Sequence, residues 1–185
     1  MTTTRRANRG PSAAAENRAA LIAAAREVFA GAGADAPLSL IARRAAVGQG
    51  SLYRHFPDRA SLALAVFEDN VADLEARAAE PESTLDDILA EMVEQLTESV
   101  GFIGMIDPAP GDPRLLAMRQ RLQQIFADKL GRPANTARSD VSAEDLMLAL
   151  SMLAALLSRT DKEARAATAQ RAWALLRTGL GALKA

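Results

Sequence analysis

Apolar residues recur at intervals of three and four along most of the chain, and no segment alternates between apolar and polar residues. One example is the set Leu21, Ala25, Val28 and Phe29, which falls on one face of a helix. Proline and glycine interrupt this pattern repeatedly. The sequence therefore predicts an all-α protein of eight or nine helices without strands.

Several helix ends can be placed from capping residues. Asp58 is a suitable N-cap for a helix that starts at Arg59. Thr84 and Asp87 have the spacing of a capping box. Further helices are predicted to start at Asp112-Pro113 and behind Ser142, and the last is predicted to follow Asp161 and to reach Leu183.

Charge is distributed unevenly between the ends of the chain. Residues 1–60 contain nine Arg and four acidic residues, a net charge of +5, whereas residues 61–185 contain 13 basic and 19 acidic residues, a net charge of −6. A basic first third favours a polyanionic partner, and a chance fluctuation on a solvated surface is the alternative. Residues 1–14 lack periodicity and are predicted to form a flexible arm, with helix from about Glu16.

Composition excludes several classes of function. The chain has no Cys and a single His, which excludes disulfides and thiol catalysis and argues against a metal site. The sequence shows no nucleophile and general base at a spacing typical of catalysis, so we predict neither an enzyme nor a cofactor. The longest apolar run, Leu146 to Leu157, is too short to cross a bilayer. We expect a cytoplasmic protein that does not bind membranes.

The first sixty residues predict three helices of about 15, 8 and 8 residues, with a short turn before the third. This order is typical of a helix-turn-helix unit, whose third helix enters the major groove of DNA. Gln49 can form paired hydrogen bonds with an adenine edge. Gly50 costs about 1 kcal/mol of helix propensity relative to Ala, which is understandable if a larger side chain would hold the helix away from DNA. Donors to phosphate oxygens are available at Ser51, Tyr53, Arg54, His55 and Arg59.

The segment IARRAAVGQGSLYRHFPDRASL, Ile41 to Leu62, resembles the helix-turn-helix signature of the TetR family of bacterial transcriptional regulators. The usual family pattern is I-A-x-x-A-G-V-x-x-x-x-L-Y-x-H-F-x-x-K/R-x-x-L. The resemblance is close over residues 16–68 and specific at LYRHF; beyond that the chain resembles the family only in length and helical character. It departs from the pattern at Ala46, where glycine is usual, at Pro37, where Thr is frequent, and at Leu40, where a polar residue is common.

The resemblance implies a homodimer that binds a palindromic double-stranded DNA operator and is released by a small molecule, in most members as a repressor. By position, Gln49, Gly50 and Tyr53 would face bases. Ser51, Arg54, His55 and Arg59 would contact phosphate or lie close to it. The arm residues Arg5, Arg6 and Arg9 could reach an adjacent groove.

The acidic remainder is predicted to bind the effector and to form the dimer. The helices at about 143–158 and 162–183 are the predicted dimer interface, with ordinary core as the alternative; the residues assigned to this interface are Leu150, Leu153, Leu157, Ala169, Trp173, Leu176 and Leu180. An apolar or amphipathic effector is predicted to bind in a pocket rich in Met, a flexible side chain, although core packing is again the alternative. The pocket residues are Met92, Leu96, Phe102, Met105, Met118, Leu122, Phe126 and Met147.

The predicted organisation is thus a basic arm at 1–14, a helix-turn-helix DNA-binding domain at 15–60 with the turn and recognition helix at about 46–56, and a larger helical effector-binding and dimerisation domain at 61–185. One alternative function is open at this point. The basic module could dock onto an acidic protein, which would make the chain a helical interaction adaptor without sequence-specific DNA binding.

Overall fold

The computed structural model describes residues 11–33, 35–103, 112–132, 137 and 140–179. Throughout these residues the regular structure is helical, which confirms the all-α prediction. The eight helices are α1 Pro11–Ala32, α2 Leu38–Arg44, α3 Gln49–His55, α4 Arg59–Ala79, α5 Leu85–Ile103, α6 Pro113–Leu130, α7 Ala143–Leu157 and α8 Lys162–Gly179. Across these ranges, no helix has the combination of length and apolarity needed to cross a membrane.

Helix α1 starts earlier than the sequence pattern indicates. Its first residue is Pro11, whereas the prediction placed a flexible arm up to residue 14 and helix from about Glu16. Proline is favourable in the first helical turn because its missing N–H needs no partner there, and the three alanines that follow have the highest helix propensity. The prediction was wrong here because it relied on apolar periodicity, which alanine-rich turns do not show.

The predicted capping residues occupy their expected positions. The Ser61 backbone N–H donates to Asp58 Oδ1 over 2.7 Å at the start of α4, and the Arg114 N–H donates to the Asp112 carboxylate over 2.9 Å at the start of α6. Thr84 and Asp87 exchange both capping-box bonds ahead of α5, and Ser142 forms the corresponding box ahead of α7. These bonds satisfy N–H groups that the first turn of a helix leaves without a partner.

The chain divides into two compact units, one ending at Val66 and the other starting at Phe67. In the first unit, α1 packs against α2 and α3. Its core consists of fully buried apolar side chains, which include Leu21, Phe29, Ile41, Leu52 and Leu62. Leu52 lies on the short helix α3, so this core fixes the position of that helix.

The second unit has a separate core formed by the end of α4 and by α5 to α8. Phe126, Ile88 and Leu157 are fully buried at its centre. An ion pair joins α4 to α6, where the Arg121 guanidinium donates to both carboxylate oxygens of Glu75 over 2.6 Å. These hydrogen bonds hold the pKa of Glu75 below its ordinary value. The pair therefore stabilises the fold at pH values above the ordinary pKa of a glutamate, and this stabilisation is lost as the pH falls and the carboxylate is protonated.

The turn between α2 and α3 contains a strained residue. Ala46 has a φ of 54°, the left-handed region that favours glycine. The Val47 N–H donates to the Ala42 carbonyl and the Ala46 N–H to the Arg43 carbonyl, which is the Schellman arrangement at the end of a helix. This motif needs a left-handed residue at position 46, so the chain keeps the turn geometry without the usual glycine.

We expect Ala46→Gly to stabilise the protein. The left-handed conformation costs an alanine about 1–2 kcal/mol, and glycine removes this strain. The greater freedom of glycine in the unfolded chain costs about 0.4–1 kcal/mol, which offsets part of the gain. Urea denaturation should therefore show a gain of about 0.5–1 kcal/mol. Ala45→Gly is the matched control, because Ala45 has a right-handed φ of −74°, and it should destabilise. A loss of stability in both variants would contradict the strain at Ala46.

Candidate functional site

Helix α3 is held to the first unit by one face only. Leu52 and the following Phe56 are buried, with 1% and 2% of their surface exposed. The Arg18 guanidinium lies 5.4 Å from the centre of the Phe56 ring, which adds a cation–π contact from α1. A seven-residue helix is not stable alone, so these contacts determine where its other face points.

The other face of α3 exposes groups that can form hydrogen bonds with a partner molecule. Gln49 and Tyr53 are both exposed and, being four residues apart, share one side of the helix. Tyr53 has 54% of its surface exposed. Gly50 is exposed between them, and a Cβ added there would meet no atom within 4 Å. No packing contact in the described part of the unit therefore explains the glycine.

Three further residues predicted to lie near phosphate occupy the same short helix. The Arg54 guanidinium donates to Ser51 Oγ over 2.7 Å and remains exposed. His55 is half-buried, with its ring centre 6.3 Å from that of Phe56. The helix thus groups an amide, a phenol, a guanidinium and an imidazole within about two turns, a set suited to hydrogen bonding with phosphates and base edges.

Arg59 is tied into the first unit. Its guanidinium donates to the Ala36 carbonyl over 2.7 Å and lies 5.9 Å from the centre of the Phe29 ring. These contacts give Arg59 a packing role that the sequence pattern did not indicate, alongside its predicted place near phosphate. The predicted arm residues Arg5, Arg6 and Arg9 lie outside the described residues.

Gly48, the glycine of the turn, has an ordinary conformation. Its φ of −64° and ψ of 143° are open to any residue, and it is the N-cap of α3 without a side-chain cap. Added side-chain atoms would meet open space. The left-handed position of the turn is therefore Ala46. At Gly48 no side chain lies over the first turn of α3.

Most of the predicted effector-pocket residues lie in or against the core of the second unit. Met92 and Phe126 are buried in this core, and Met118 is buried on α6. Leu96, Leu122 and Met147 are half-buried and pack against this core. Met105 and the side chain of Phe102 lie outside what the structure describes.

A cleft of about 400 Å³ lies instead between α4 and α6, and none of the eight predicted pocket residues lines it. Its lining includes Glu75, Arg121 and Lys129. Lys129 is 2% exposed and donates to the Ser83 carbonyl, and burial lowers its pKa. The sequence analysis missed this lysine, although its spacing of three and four residues from Phe126 and Ile125 places it on the inward face of α6.

Five of the seven residues assigned to the dimer interface need a correction. Leu150, Leu153, Leu157, Ala169 and Trp173 are buried inside a single chain. Leu176 is half-buried against the same core, and Leu180 lies outside the described residues. Helix α7 is apolar nearly all round, so its sequence could not indicate which face the chain itself covers. The large apolar side chains exposed on α7 and α8 are others, namely Leu148, Met152, Leu156 and Leu175.

Comparisons with known proteins agree with this architecture. Residues 21–66 match the sequence profile of the bacterial regulatory proteins of the tetR family. A TetR transcriptional regulator from Streptomyces coelicolor is similar to the chain with a TM-score of 0.62 and 29% identity, over 90% of this chain and 99% of that one. A TetR transcription regulatory protein from Mycobacterium vanbaalenii is similar with a TM-score of 0.58 and 28% identity, over 80% of this chain and 95% of that one.

A more distant structure shares the fold alone. It is NalD, the secondary repressor of the MexAB-OprM multidrug efflux pump in Pseudomonas aeruginosa, with a TM-score of 0.53 and 18% identity over 91% of this chain and 97% of that one. No curated protein is significantly similar in sequence. The family match covers the helix-turn-helix, and the two regulators at 28–29% identity extend over most of the chain. The helix-turn-helix therefore matches that of the TetR family of bacterial transcriptional regulators, and most of the chain is similar to solved TetR regulators.

Proposed function

We propose that the protein is a ligand-responsive transcriptional repressor that binds a palindromic operator as a homodimer and is released from it by a small molecule. The observation that carries this proposal is the two-sided character of α3. Leu52 fixes one side in the core, whereas Gln49, Gly50 and Tyr53 are exposed on the other. Repression is the proposed direction because NalD, which shares the fold, is a repressor.

Exposed cations support the docking of this unit on DNA. Arg54 and Arg43 are exposed on α3 and α2, and the first sixty residues carry a net charge of +5. Phosphate contacts of this kind orient a protein on the duplex, and base-edge contacts select the sequence. Gln49 and Tyr53 are the proposed base-reading side chains. Ser51, His55 and Arg59 are the proposed further neighbours of phosphate.

The proposed effector is a small apolar or amphipathic molecule that binds within the second unit. The methionines Met92, Met118 and Met147 support this site, because unbranched thioether side chains can rearrange around a guest. Leu96, Leu122 and Phe126 are the other described residues proposed for this site, and they lie in or against the same core. Titration of candidate compounds into the protein–operator complex would test this step, and release of DNA is the expected result.

Substitutions at Gln49 and Arg54 should separate base reading from phosphate binding. The operator would first be selected from random duplexes with the purified protein. Gln49→Ala should then reduce the preference for operator over random DNA by about tenfold, because a paired contact to one base is worth about 1–3 kcal/mol. Arg54→Ala should weaken binding to every duplex and lower the slope of log affinity against log salt by about 1. If binding to duplexes did not depend on salt and no duplex were preferred, this result would contradict the DNA-binding role and favour the protein-adaptor alternative.

Gly50→Ala should affect stability and DNA binding in opposite directions. Alanine is favoured over glycine inside a helix by about 1 kcal/mol, and its Cβ enters open space, so urea denaturation should show stabilisation. Operator affinity should fall by about tenfold, which corresponds to about 1.4 kcal/mol, because the added methyl group would separate α3 from the base edges. Gly31→Ala is the matched control on the exposed surface of α1, and its operator affinity should not change. Full affinity in Gly50→Ala would refute close approach at this residue.

The proposed dimer interface is the exposed apolar face of α7. Leu148, Met152 and Leu156 are spaced four residues apart and have 59%, 55% and 45% of their surface exposed. Side chains at this spacing form one row along a helix, and an exposed apolar row of this kind favours a protein partner. A second copy would cover it by forming a four-helix bundle from α7 and α8 of both chains.

We therefore expect Met152→Glu to convert the dimer to a monomer in analytical ultracentrifugation. The buried charge would cost several kcal/mol at the interface, whereas the exposed side chain contributes little to the fold of one chain. Leu116→Glu makes the same kind of change at an equally exposed position on α6, with 51% of the surface exposed, and should leave the dimer intact. A dimer that persists in Met152→Glu with an unchanged dissociation constant would rule out this face.

A further inference from the structure

A groove of about 610 Å³ lies in the first unit, between α2 and the start of α3. Four of its seven lining residues are apolar, namely Pro37, Leu40, Ala42 and Val47. Ser39, Arg43 and Gln49 complete the lining. The groove therefore continues the α3 face that carries Gln49 and Tyr53, but with apolar walls.

Leu40 is only partly covered by packing within the chain. It precedes the fully buried Ile41 on α2 and is itself only half-buried, in a groove rather than in the core. Val47, across the groove on the turn, is also half-buried. Two branched apolar side chains that flank an open groove retain surface that a partner can cover, and such burial is favourable.

The chemistry of the groove indicates what that partner presents. Gln49 lines one end and can pair with an adenine edge, and the exposed Arg43 can reach a phosphate oxygen. The major groove of DNA offers one strongly apolar group, the C5-methyl of thymine, and it lies close to such edges. A phosphate alone would leave the leucine and valine surfaces in contact with a charged oxygen, which is unfavourable.

We propose that Leu40 and Val47 hold the C5-methyl group of a thymine in each operator half-site, beside the base contacted by Gln49. This contact rests on the proposed function, since it requires α3 to lie in the major groove. It makes Leu40 a specificity-determining residue and gives a physical reason for leucine at a position where related proteins commonly have a polar residue.

The test replaces each thymine of the selected operator, one at a time, with deoxyuridine. Uracil keeps every hydrogen-bonding group of thymine and lacks only the methyl. The wild-type protein should lose about fourfold in affinity at one thymine per half-site, the factor expected for one methyl-sized group removed from an apolar contact. Leu40→Ala should bind the unmodified operator more weakly and show no uracil penalty at that same position, which is the signature of direct coupling.

Leu38→Ala is the matched control. Leu38 is also half-buried on α2 but does not line the groove, so its uracil penalty should equal that of the wild type. Circular dichroism would check that both variants stay folded. A selected operator whose affinity is unaffected by uracil at every thymine, or a penalty that is unchanged in Leu40→Ala, overturns this contact alone. Failure to select any operator would overturn the proposed function and this contact together.

Discussion

The anchoring of α3 by Leu52 and Phe56 is the interaction on which the proposed DNA-reading surface depends. An isolated helix of seven residues is unstable in water, because the cost of nucleation is not recovered over so few hydrogen bonds. Both side chains are nearly fully buried, and Arg18 covers the Phe56 ring from α1. The core of the first unit therefore supplies the stability of α3, and the exposed residues of the helix need not contribute to it.

This arrangement permits local sequence choices that would be unfavourable in a self-supporting helix. Gly50 weakens the intrinsic helix propensity of α3, and Ala46 holds a left-handed conformation in the turn before it. Each choice costs on the order of 1 kcal/mol, which the apolar contacts of Leu52 and Phe56 can offset. The two costs differ in kind. Contacts within the described unit do not explain Gly50, whereas the Schellman bonds require the left-handed conformation of residue 46.

Local signals in the sequence were sufficient for most helices but not for the assignment of faces. Asp58, Asp112 and Ser142 cap their helices as their spacing predicts, because a cap is a bond between near neighbours. Which face of α7 is buried depends on the helices that pack against it, and an almost uniformly apolar sequence does not indicate that face. For the same reason the core residues Leu150 and Leu153 were assigned to a dimer interface. The hydrogen bond from Arg59 to the Ala36 carbonyl spans 23 residues, a separation at which spacing rules no longer apply.

The apolar row on α7 and the groove beside α2 have different surroundings, and these surroundings indicate different partners. The row of Leu148, Met152 and Leu156 lies on a stretch of α7, residues 146–157, that has no charged side chain, so a partner that covers it must itself be apolar. Leu40 lies instead in a groove whose lining includes Arg43 and Gln49, groups that would be left without partners against an apolar surface. A base pair satisfies both requirements at once, because it presents a methyl group, hydrogen-bonding edges and a nearby phosphate within a few ångströms. A leucine with accessible surface therefore favours a second copy of the chain in one unit and a nucleic acid in the other, and its charged and polar neighbours make the difference.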